Sequence, residues 1–117
     1  MKHPRQKSPA HLAFIRQLPC VVCGDNTSVE AAHIRMGRRW CAKRATGMSE
    51  KPDDSWAVPL CGKHHRVQHD VGEHYFWHMW HVGHPSLIDP VILCLALWRA
   101  SGDIEAGEQI IREAKND

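Results

Sequence analysis

The chain has no long apolar run. Its longest, Val91 to Trp98, is well short of the roughly 20 residues that span a bilayer. A basic N-terminus without an apolar core does not read as a signal peptide. Low-complexity tracts and internal repeats are missing, and the formal net charge is only +2. Bulk charge therefore identifies no partner. The cysteine count is odd, at five, and two of them sit in a C-x-x-C turn, which argues against a disulfide framework. Together these absences exclude a membrane span, a collagen-like or disordered chain and a disulfide scaffold. They leave a soluble, cytoplasmic protein as the expectation.

The 117 residues suit one domain, 1–117, with a modest core that a bound metal would help to hold. Ser8-Pro9 starts a short helix bearing Leu12, Ile15 and Leu18, which Pro19 ends. Met1 to Lys7 is expected to fray. Val29 to Ile34 reads as one strand and Trp56 to Leu60 as a second, with Pro59 indicating an edge or strand end. A helix is predicted from about Gly62 until Gly72. Another covers Glu73 to Val82, Asp89-Pro90 opens a buried one, and Asp103 caps the last. The expected class is α+β, with a zinc-stapled core over 18–77 and a C-terminal helical extension over 85–115.

Two clusters carry chemistry. Cys20, Cys23, Cys61 and His64 form a C-x-x-C…C-x-x-H set. Thiolate and imidazole donors on two short turns suit tetrahedral Zn2+, and four protein ligands leave no open position, so this site is structural. Cys41 has no spaced partner and Cys94 lies in an apolar segment; neither is assigned a role.

His64 and His65 are adjacent, so on a helix they point about 100° apart. His65 shares a face with His69 four residues on, and an H-x-x-x-H pair is a bidentate platform for a second divalent ion, Mg2+, Mn2+, Ni2+ or Zn2+. His33 projects from the first strand and is the candidate general base, since imidazole titrates near working pH. Arg35, Arg38, Arg39, Lys43, Arg44 and Lys51 crowd the loop between the clusters, and Arg66 follows in the helix. Such local basic density favours a phosphate backbone. Trp40 in that loop is either a base-stacking group or an apolar anchor folded over the core. His74, His78, His81 and His84 are read as packing and surface residues.

The order Cys20-x-x-Cys23, Ala31-Ala32-His33, then Val58-Pro59-Leu60-Cys61-x-x-His64-His65-x-x-x-His69 resembles the HNH endonucleases with a ββα-metal (His-Me finger) core. The cysteine-bearing branch is the nearer, in particular the small phage and prophage HNH proteins associated with recombination. Gly47-Met48-Ser49-Glu50-Lys51-Pro52 is similar to a loop of that branch. The likeness spans about Leu18 to Trp77. It implies His33 as general base, His65 and His69 as ligands of the catalytic metal, and Cys20, Cys23, Cys61 and His64 as structural zinc ligands. It implies hydrolysis of phosphodiesters in DNA, single-stranded, duplex or branched, with little sequence preference.

Two positions depart from the pattern. Ala32 stands where many relatives carry an Asp or His ligand, and the middle Asn has no counterpart, with Asp54 or Ser55 nearest. Two other functions remain open: a non-catalytic zinc module that binds nucleic acid, and a phage interaction adaptor.

Overall fold

The computed structural model describes residues 5–47, 50–83 and 89–115, with side chains at 80–83 excepted. Among these residues the chain is α+β: two strands, five α-helices and one 3-10 turn. Helix α1 is Pro9–Arg16. Ser8 caps it, its hydroxyl accepting from the His11 amide, and Pro at the first turn presets the helical φ. Strand β1 is Val29–His33 and β2 is Ala57–Cys61. They pair antiparallel, with Val29 opposite Cys61 and His33 opposite Ala57. The second strand thus begins one residue later than predicted.

Pro59 sits mid-strand opposite Ala31. A two-stranded sheet has only edge strands, so its missing N–H leaves no interior ladder broken. The Pro59 carbonyl instead accepts from the Val21 amide at 3.0 Å, which lays the Cys20–Gly24 turn along the sheet edge.

Strand β2 runs directly into helix α2, Gly62–Val71. Gly72 ends α2 and Glu73 starts α3, Glu73–Gly83. Helices α4, Pro90–Arg99, and α5, Ile104–Lys115, follow. Asp89 and Asp103 cap them as their positions suggested, accepting from the Val91 and Ala106 amides.

One core joins α1, both strands, α3, α4 and α5. Ile15 and Leu18 meet Ala32, Val58 and Leu60 of the sheet and Val91, Leu93, Leu97 and Ile111 of the last two helices, all essentially inaccessible. His11 lies wholly within this layer. Its Nδ1 is 2.7 Å from the Ser101 hydroxyl at the α4–α5 corner, and its ring stands edge-on to Trp98. Burial holds its pKa down, partly countered by the nearby Asp54 charge.

Helix α5 reaches α1 across Gly107. A Cβ there would lie 2.8 Å from both Leu18 Cδ2 and Phe14 Cζ, inside van der Waals contact with two buried side chains. Gly107→Ala should therefore lose about 1–3 kcal/mol by overpacking, despite the better helix propensity of alanine. Urea unfolding of the metal-loaded protein measures it; an unchanged or raised midpoint would show that Phe14 and Leu18 can yield.

Candidate metal centre and histidine sites

The Cys20–Gly24 turn is closed by two backbone bonds, Gly24 N to Cys20 O and Cys20 N to Asp25 O, each 2.8 Å. Gly24 has φ +81°, a left-handed conformation that a side chain would strain. On the far side Cys61 ends β2 and His64 faces inward from the first turn of α2.

The four donor atoms all lie within 4.8 Å of one another. Cys23 Sγ is 3.9 Å from Cys61 Sγ, and His64 Nδ1 is 3.1 Å from Cys61 Sγ and 3.9 Å from Cys20 Sγ. A tetrahedral zinc with bonds of about 2.3 Å to sulfur and about 2.0 Å to nitrogen separates its donors by roughly 3.5–3.8 Å. The set fits such an ion in donor type, number and spacing. Burial and the neighbouring Lys63 charge lower the His64 pKa, which favours the neutral ring that a metal ligand requires. At Cys23 burial raises the thiol pKa, but the Asp25 amide and the Cys20 and Cys61 thiols outweigh it and lower the value. The Cys3His cluster could hold a metal ion such as zinc.

The other predicted ligands are held differently. His33 Nε2 lies 2.9 Å from Asp54 Oδ1. Asp54 is almost fully buried and is gripped on three sides: Arg5 Nη2 donates to Oδ1 at 2.8 Å, the Ser8 amide to Oδ2 at 2.7 Å, and His33 completes the set. Burial alone would raise its pKa; the His33 bond, the Ser8 amide and the Arg5 charge prevail and hold it below the usual carboxylate range. Asp54 is thus the residue that braces the loop and also fixes the His33 ring. A carboxylate, rather than the backbone, orients this imidazole. Arg5 and Gln6 do not fray as expected; they are bonded to residues 52–54.

His65 Nδ1 is 2.7 Å from Glu30 Oε1, which leaves Nε2 as the outward nitrogen. Glu30 escaped the sequence reading, although it lies on β1 three residues before His33. Gly62 lies beside this pair: a Cβ there would be 3.2 Å from Glu30 Oε2. His69 is exposed one turn along α2. Among the described residues the Cys3His set is the one group of three or more donors close enough to hold an ion; His33, His65 and His69 do not join in a second. Ala32 points into the core.

The basic loop is less available than its composition suggests. Arg38 Nε and Nη2 both bond Asp89 Oδ2, at 2.9 and 2.6 Å. Arg44 pairs with Glu50, and Arg35 Nη1 donates to the Gly47 carbonyl. Lys43 is buried, its Nζ 5.1 Å from the centre of the Trp56 ring. Burial lowers its pKa, partly offset by the Cys94, Glu73 and Cys41 groups. Arg39, Lys51 and Arg66 are exposed. Cys94 is fully buried, which pushes its thiol up, as expected of a core residue. His74 and His78 are exposed on α3. Met48, Ser49, His84 and the side chain of His81 lie outside the described residues.

A family of proteins of unknown function, DUF968, matches residues 1–83. The chain belongs to the DUF968 family. The match takes in α1, the Cys3His cluster, both strands, α2 and α3, and leaves α4 and α5 beyond it. No curated protein and no solved structure matches.

Two outcomes follow from this geometry. The purified chain should carry one zinc ion by elemental analysis. Cys61→Ser or chelation should abolish cooperative unfolding by circular dichroism, because the apparent binding energy of such sites, about 10 kcal/mol or more, rivals the whole stability of a small domain. Cys41→Ser should retain the metal. Asp54→Asn should lose about 2–3 kcal/mol in urea unfolding near neutral pH. The folded carboxyl titrates below the unfolded one, about 3.9, so its contribution is complete above that value and is lost as pH falls through the folded pKa. The native-minus-variant difference should shrink as pH falls below the unfolded carboxyl value of about 3.9; a difference that persists undiminished through acid unfolding would contradict this.

Proposed function

We propose that this chain is a metal-dependent nuclease that hydrolyses phosphodiester bonds in DNA, with an HNH-type core. The observation that carries this reading is the Asp54–His33 pair: a buried, charge-stabilised carboxylate holding one nitrogen of an imidazole at 2.9 Å. That arrangement fixes the tautomer and direction of the ring and leaves Nδ1 to take a proton from water. The strand order supports it, since β1 carries His33 and β2 runs into the helix bearing His65 and His69.

His65 and His69 would hold a divalent ion, which when bound supplies charge stabilisation for the phosphate and the leaving oxygen. Glu30 orients His65 through Nδ1, as carboxylates do behind ligating histidines. Arg39, Lys51 and Arg66 are the exposed cations that would meet the backbone. Such contacts carry no sequence information, so sequence preference should be weak.

A second reading has one observation in its favour. Ala32 is fully buried and offers no donor beside His33, and the described residues assemble no second three-donor group. A zinc-stabilised module that binds nucleic acid without cutting it fits those facts.

Plasmid nicking separates the two. With zinc in the structural site and Mg2+, Mn2+, Ni2+ or Zn2+ added, the native chain should nick supercoiled DNA. His33→Ala should lose on the order of 100-fold or more of that rate, the usual worth of a positioned base. Glu30→Gln should lower it less and raise the metal concentration required, by roughly 10-fold. DNA retention at low salt with no nicking under any of the metals would establish the binding module instead.

A further inference from the structure

The segment Arg38-Arg39-Trp40-Cys41-Ala42-Lys43 forms a short finger. Arg38 and Lys43 exchange both backbone bonds, at 2.8 and 3.0 Å, as an isolated antiparallel bridge. The tip, Arg39–Cys41, is a single 3-10 turn. Ala42 closes it, donating to the Arg39 carbonyl at 3.1 Å with φ +56°.

The base of the finger is heavily braced. Both carboxylate oxygens of Glu73 accept backbone amides, from Arg35 and from Met36, at 2.7 Å each. Arg38 is fastened to Asp89, and the Lys43 stem is buried against Trp56. Every one of these anchors lies at the stem.

The tip has none. Trp40 is 59% exposed. Neither its ring nor the exposed Arg39 beside it makes a hydrogen bond, ion pair or ring contact among the described residues. This excludes Trp40 as a folded-over apolar anchor. Trp77 shows the contrast, at 5% exposed with its indole N–H bonded to Gln68.

A rigid post that presents a bare indole next to an unpaired guanidinium fits a flat π-system carrying a negative charge close by. A nucleotide has both. The bases of an intact duplex already stack on one another, so the indole gains a partner only where a base is unstacked. Building on the reading that this chain binds nucleic acid, we propose that Trp40 is a base-stacking residue that selects single-stranded or locally opened segments, with Arg39 holding the adjoining phosphate.

The test uses the full zinc-loaded chain with no added divalent metal, so that binding is read without cutting. Fluorescence anisotropy compares a labelled oligothymidylate with a blunt duplex of equal length. Trp40→Ala should weaken single-strand binding on the order of tenfold, the usual contribution of one aromatic–base stack. It should leave duplex binding and the thermal unfolding midpoint unchanged. Trp40→Phe, which keeps a π-face, should retain most of the affinity. Arg39→Ala should weaken both ligands alike and flatten the salt dependence by about one counterion. Native-like single-strand binding by Trp40→Ala, or equal losses on both ligands, overturns the stacking role while leaving the nuclease reading intact. So does a native dimer that dissociates in Trp40→Ala without any single-strand preference, since the indole would then serve self-association. A native chain that binds neither ligand at low salt removes both readings together.

Discussion

Three thiolates and one imidazole, from a turn, a strand end and a helix start, have to lie within one bond length of a common point. The rest of the arrangement depends on that constraint. A two-stranded sheet has little stability of its own, and a chain of this size buries only a modest core. The cluster brings the Cys20–Gly24 turn to the junction of β2 and α2, adding to the backbone bond from Val21 to Pro59. It also sets the rotation of α2. With His64 turned inward to the sulfurs, its neighbour His65 must face Glu30 and His69 must follow on the exposed side. The structural site therefore decides where the candidate catalytic histidines point.

Acidic side chains perform the second tier of fixing. Asp54 joins the N-terminal segment to β1, Glu73 grips two consecutive amides ahead of the finger, and Asp89 both caps α4 and holds Arg38. Each carboxylate satisfies backbone or cationic donors that would otherwise be left unpaired at half-buried points. Asp89 also takes up the charge of Arg38, and Glu50 pairs with Arg44 at the surface, so part of the dense run of arginines and lysines between the clusters is already engaged within the fold. Only a few of those cations face solvent without a partner.

Local signals made most of the elements legible in the sequence. Ser8-Pro9, Asp89-Pro90 and Asp103 marked helix starts because capping chemistry acts within three residues, and Gly72 marked a stop for the same reason. The four-ligand cluster was legible because zinc demands fixed donor types at short spacing. Long-range pairings were not. Nothing near Asp54 in the chain announces Arg5, and nothing near Glu30 announces His65, since those partners are set by how the strands and α2 come together. The pairing of the basic loop was hidden for a related reason. Composition counts charges, but whether a cation is free depends on acids such as Asp89 that lie far along the chain.

The contact between the last helix and the metal turn has an electrical side. A divalent ion held by three thiolates leaves the cluster with one surplus negative charge. The ammonium of Lys115, at the end of α5, sits 2.7 Å from where Gly24 would carry a Cβ, immediately after Cys23 in the chain. The absent side chain makes a berth for a counter-ion, and the helix outside the family match supplies it. The part of the fold inside the family match and the part beyond it thereby meet at this turn.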